Sequence, residues 1–95
     1  MVEQVDRIPA KWVRRRDSLI RISGRGDTAA IALLNAFSTD LDTALEAGEL
    51  TGSSWAQLKF TCSSLLINLG DDRRNRDAIE SGIRCAQDAV ERGSE

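Results

Sequence analysis

The sequence predicts an all-α fold, either a small four-helix bundle or a helical-hairpin domain. Three observations predict it. Apolar residues recur at alternating spacings of four and three along most of the chain, the period of one helix face. Glycines at Gly24/Gly26, Gly48/Gly52, Gly70 and Gly93 bracket segments of helical length, each where a helix commonly stops. No stretch alternates apolar and polar residues over more than a few positions, so strands are not supported. The 95 residues read as a single domain, 1–95, with helices at roughly 9–23, 27–47, 54–69 and 72–92.

The first helix opens at Pro9, because proline is tolerated in a first turn and biases Ile8 away from helix. Its apolar face reads Ile8, Trp12, Leu19, Ile22. The second starts at Asp27 as N-cap and sets Ala30, Leu34, Phe37, Leu41 and Ala44 on one side. The third opens on Ser54-Trp55-Ala56-Gln57, a capping-box pattern, and carries Trp55, Leu58, Cys62, Leu65, Leu66 and Leu69 as its stripe. The fourth begins at Asp71 or Asp72, acids that favour a helix N-terminus, and is expected to bury Ile79, Ile83, Ala86 and Val90. A turn at Gly70 makes helices three and four a tight hairpin.

That turn sets an expectation for the two cysteines. Cys62 lies eight residues before Gly70 and Cys85 fifteen after it. At 1.5 Å per residue their levels differ by roughly 10 Å, which predicts two separated, reduced thiols with no disulfide.

Composition narrows the function classes. The chain has no His and no Tyr, which removes the commonest general base and the commonest metal ligand. The reading is a non-enzymatic protein with no cofactor and no metal. Asp40/Asp42 and Asp71/Asp72 lack the spacing of a specific metal loop. Residues Met1–Arg7 carry Glu3, Asp6 and Arg7 and do not read as a secretory signal. The longest apolar run, Ala29–Leu34, is far short of the roughly 20 residues that span a bilayer, so a cytoplasmic, membrane-free protein is expected. Arg25-Gly26-Asp27 matches the tripeptide that integrins bind, but it reads as a hinge ending in an N-cap acid.

Charge is the most uneven feature. Residues 7–25 hold Arg7, Lys11, Arg14, Arg15, Arg16, Arg21 and Arg25 against Asp17 alone, whereas residues 27–58 hold Asp27, Asp40, Asp42, Glu46 and Glu49 with no base. Lys11, Arg14, Arg21 and Arg25, with Arg15 beside them, form a candidate contact surface. It faces either nucleic acid or an acidic partner, the acids of helix two included. A helix-turn-helix reading of helices two and three fails, since Lys59 is the only base its second helix offers.

Helix four carries a second candidate surface. Ala78, Gly82, Ala86 and Ala89 form a small-residue stripe suited to close helix packing, within the chain or at a subunit interface. Leu69, Gly70, Gly82 and Ala89, at compatible offsets, give residues 63–93 a faint likeness to a tetratricopeptide helix pair, but Arg73 stands where that family places a large aromatic residue. The leading functional expectation is a helical interaction module that forms a homo-oligomer or docks on another protein. The alternative is a nucleic-acid-associated adaptor using helix one, such as a small oligomeric DNA-packaging or regulatory subunit.

Overall fold

A computed structural model describes residues 8–93, so the reading of Met1–Arg7 and the charge of Arg7 lie outside the described residues. The fold is all-α, in the order α1 (Ala10–Gly24), α2 (Ala29–Glu46), α3 (Gly52–Arg73) and α4 (Arg76–Gly93). Among the described residues there is no strand.

Each helix end has a local cause. Pro9 precedes α1, and its carbonyl accepts from Trp12 and Val13 at 3.0 and 3.2 Å. Gly26, at φ +72°, then takes the chain out of α1. The Asp27 carboxylate accepts from the Ala29 amide at 3.0 Å, supplying the expected acidic cap from one residue outside the formal N-cap, Thr28. Thr51, not Ser54, caps α3: its Oγ1 accepts from the Ser54 amide at 3.1 Å. The expected capping box at Ser54 is therefore corrected, because Ser54 sits inside the helix and is buried.

The largest correction concerns Gly70. Helix α3 runs through it to Arg73, and the chain reverses at Arg74, in the left-handed region at φ 54°, and Asn75. Asp71 and Asp72 fall in the last turn of α3 and do not start α4, whose cap is Asn75 Oδ1 accepting from the Ala78 amide at 3.2 Å. Gly70 answers to packing instead. A Cβ there would stand 2.6 Å from Ile79 Cγ1 and 2.9 Å from the Asn75 carbonyl oxygen.

The core cluster draws on all four helices. Trp12 and Leu19 of α1 are buried, and all five expected positions of α2 are buried. Trp55, Leu58, Cys62, Leu66 and Leu69 contribute from α3, with Leu65 half-buried at the margin. Each fully buried leucine or aromatic contributes about 1.5–3 kcal/mol relative to exposure. Trp12 and Phe37 join α1 to α2 with ring centroids 6.0 Å apart and planes inclined by 50°.

Helix α4 buries a different face from the one its large residues suggest. The buried line is Ala78, Gly82, Cys85 and Ala89, while Ile83 and Val90 are 44% and 59% exposed. The reason is the closeness of α3. A Cβ on Gly82 would lie 2.8 Å from the Ser63 carbonyl oxygen and 2.7 Å from Ile67 Cγ1, so the two backbones nearly touch. Side chains the size of isoleucine on that line would hold the helices apart.

Candidate functional site

The basic surface of α1 divides in two. Lys11 forms an ion pair with Glu49, and Arg15 Nη1 lies 2.9 Å from Asp40 Oδ2. Both cations also lie over aromatic faces: Lys11 is 5.3 Å and Arg15 5.5 Å from the Trp12 ring centre, and Arg15 is 5.0 Å from that of Phe37. Trp12 is thereby enclosed, at 4% exposure, and offers no free face for stacking on a base. Arg14, Arg21 and Arg25 are exposed and form no ion pair among the described residues. Their spacing leaves them on the solvent side of α1.

Charge reversal should expose this division. Lys11→Glu with Arg15→Glu is expected to cost up to about 1 kcal/mol per pair, partly restored by salt, because exposed pairs are weak and screened. Arg14→Glu with Arg21→Glu should leave stability within about 0.5 kcal/mol of the parent. Urea denaturation at low and high salt measures both, and equal losses from the two double variants would contradict the division.

Of the small-residue stripe, Ala78, Gly82 and Ala89 are buried against the core, and only Ala86 stays half-exposed. Beside Ala86 lies a shallow apolar groove of about 320 Å³, lined by Ile67, Ile83, Ala86 and Val90 and edged by Gln87 and Glu91. Most of its exposed surface is carbon, on the flank of the α3–α4 pair.

A second centre lies between α2, α3 and α4. Lys59 is 1% exposed, although lysine is among the residues least often buried. Its Nζ donates to Ser38 Oγ at 2.8 Å and to Asp42 Oδ1 at 3.0 Å, with Asp88 Oδ2 at 3.9 Å. Asp42 Oδ1 also accepts from Trp55 Nε1 at 3.0 Å. Ser38 Oγ also lies 3.3 Å from Cys85 Sγ, a contact in which either group can donate. The Cys62 thiol stands across the hairpin from Cys85, close enough for each to shift the other's titration. Cys62 Sγ also lies 3.2 Å from the Leu34 carbonyl oxygen, one turn of α2 before Ser38. A relay of polar groups thus runs from Asp42 through Lys59 and Ser38 to Cys85.

The closeness of the two thiols overturns the expected separation of the cysteines. With the reversal at Arg74 and Asn75, Cys62 lies twelve residues before the turn and Cys85 ten after it, at matching levels. Both are free thiols. The Cys85 thiol is lowered to about 6 by the neighbouring Cys62 thiol, with the Ser38 hydroxyl and the Lys59 charge aiding and burial opposing. Cys62, whose S–H donates to the Leu34 carbonyl, is pushed up by the Cys85 thiol and by burial. A groove of about 260 Å³ reaches Cys85 from solvent, with Asn35, Thr39, Ser81 and Arg84 at its walls.

Sequence reasoning missed this centre, although it left traces. Lys59 stands four residues after Trp55 and three before Cys62, on the stripe that supplies the core. Leu34, Ser38 and Asp42 follow one another at single-turn spacing on α2. A lysine inside an apolar stripe, opposite a helix rich in acid, is the signal.

Among the described residues no helix is long and apolar enough to cross a membrane, and no group of three or more His, Cys, Asp or Glu is placed to hold a metal ion. No family model matches the chain, and no curated protein or solved structure is significantly similar to it.

Proposed function

We propose that this chain is a non-enzymatic, cytoplasmic interaction module that associates with a second copy of itself through the outer flank of the α3–α4 pair. The observation that supports this reading is the apolar groove at Ile67, Ile83, Ala86 and Val90, with Ile83 44% exposed beside it. A chain of this length buries only about two-thirds of its unfolded surface, so covering such a flank is favourable. The groove is also self-complementary. Two α4 helices crossing antiparallel at Ala86 set Ile83 of one copy against Val90 of the other, and the small alanine lets the axes approach.

Light scattering across a concentration series tests this, with Ile83→Glu as the comparison. The native chain is expected to dimerise and Ile83→Glu to stay monomeric with a near-native melting temperature, because Ile83 lies outside the core. A native chain that remains monomeric at high concentration, or a variant that dimerises equally well, would refute self-association. The first outcome would leave this flank to a different protein.

A second reading is supported by Arg14, Arg21 and Arg25, which are exposed and form no ion pair among the described residues. In that reading the module is a nucleic-acid-associated adaptor, and dimerisation doubles a weak row of phosphate contacts. Retention on a DNA column that falls steeply with salt and is lost on Arg14→Glu with Arg21→Glu supports it. Salt-independent passage through the column refutes it.

A further inference from the structure

We propose that Cys85 is a peroxide-reactive thiol that, once oxidised, closes a disulfide with Cys62 and staples α3 to α4. Three independent geometric facts support this. The reversal at Arg74 and Asn75 brings Cys62 and Cys85 to matching levels of the hairpin, and Gly82, one turn before Cys85, packs against the carbonyl of Ser63, the neighbour of Cys62. Both are anchored to successive turns of α2, Cys62 on the Leu34 carbonyl and Cys85 on Ser38 Oγ. Cys85 also lines the groove that Lys59 and Arg84 border, which admits a small oxidant to a residue otherwise 6% exposed.

The two sulfurs have different parts. Cys85 lies against a hydroxyl whose oxygen is itself bonded to a buried ammonium and which can donate to the thiolate once formed, an arrangement that favours the thiolate. Cys62 keeps its proton and lies deeper, at 0% exposure. A hydroperoxide entering the groove meets Cys85 first. Its thiolate attacks one peroxide oxygen, the O–O bond breaks, and the departing alkoxide or hydroxide takes a proton to give alcohol or water. Cys85 is then a sulfenic acid. The Cys62 sulfur attacks the Cys85 sulfur and the S–O bond breaks. Hydroxide leaves and takes the Cys62 proton as water. Two thiols and one hydroperoxide thus become one disulfide, one alcohol or water, and one water. The thiols lose two electrons and the peroxide gains them. A small thiol reverses the change by exchange.

The relay gives Lys59 and Ser38 positioning parts, since they hold the thiolate and touch no oxidant in the reaction. Neither the association flank nor the α1 arginines take part, so this inference stands apart from the proposed function.

The test exposes the reduced chain to hydrogen peroxide, denatures it with a thiol-blocking reagent present, and maps the peptides. The native chain is expected to lose both thiols together and to yield an intrachain Cys62–Cys85 peptide, with a higher melting temperature. Cys62→Ser should accumulate a sulfenic acid at Cys85 that dimedone traps. Cys85→Ser should leave Cys62 reduced over the same exposure. Ser38→Ala should slow the loss of Cys85 several-fold while the circular dichroism stays helical. Iodoacetamide on the native chain gives a reading free of any variant, with Cys85 alkylated before Cys62. Equal oxidation of the two thiols in the two serine variants would overturn the proposal. So would survival of both under peroxide that consumes glutathione, or cross-links formed only between chains.

Discussion

Gly82→Leu is expected to lower the stability of the fold by about 3 kcal/mol or more, at the upper end of what overpacking costs. The first carbon of the new side chain would meet the Ser63 carbonyl oxygen at 2.8 Å and the Ile67 amide nitrogen at 3.2 Å. Those are backbone atoms of a neighbouring helix and cannot rotate aside, so α4 must move as a body. Moving it opens the contact at Gly70 and separates Cys85 from Cys62. The loss should appear at concentrations too low for association, since the close approach lies within one chain. Gly24→Ala is the control: nothing lies within 4 Å of the added carbon, and alanine in a helix favours the fold by up to about 1 kcal/mol. Urea denaturation of dilute protein decides the matter. A Gly82→Leu chain that unfolds at the native midpoint would mean that α3 and α4 are not in backbone contact.

The same close approach explains what the sequence revealed and what it hid. Helix α2 was fully legible, because its apolar residues keep a strict period and all of them are large or meet large partners. Trp12 and Leu19 of α1 were legible for the same reason. The face of α4 was misread because size was taken as the mark of burial. Where two backbones nearly touch, the buried line is the one with the least side chain, and the bulky residues are turned to the flank. Gly70 was misread in a related way: a glycine that ends a helix and a glycine that lets another helix approach look alike along one chain. Only the position of Ile79, a long-range fact, separates them. One misplaced turn then moved the two cysteines out of register and hid their closeness.

The polar centre was hidden because its members come from three helices and each looks ordinary alone. Ser38 reads as a surface hydroxyl, Asp42 as one acid among several and Lys59 as a lone cation. Even so, the charge imbalance pointed toward it. Three acids of residues 27–58 find cations on the neighbouring helices: Asp40 with Arg15 of α1, Asp42 with Lys59 of α3, and Glu49, past the end of α2, with Lys11 of α1. Asp27 instead caps its own helix. The expectation of internal neutralisation therefore describes Lys11 and Arg15 but not Arg14, Arg21 or Arg25.

Asp42→Ala should be the most damaging single change in that centre, with an expected cost of about 3 kcal/mol. Lys59 is only 1% exposed, and the substitution removes the carboxylate that balances its ammonium at 3.0 Å. Asp88, at 3.9 Å, is too far to replace the hydrogen bond. The same substitution leaves Trp55 Nε1 without its acceptor, a further penalty for a buried donor. The converse change is milder for a physical reason. Lys59→Met fills nearly the same volume with an apolar chain, and the Asp42 it leaves behind is 34% exposed and can be solvated. Combining the two should therefore recover much of what Asp42→Ala loses, since no buried charge remains and only the Trp55 donor is left unpaired. Denaturant midpoints of the four chains of this cycle measure the coupling directly. If Asp42→Ala unfolds with the native midpoint, or if adding Lys59→Met brings no recovery, the ammonium of Lys59 is not held in the interior by Asp42.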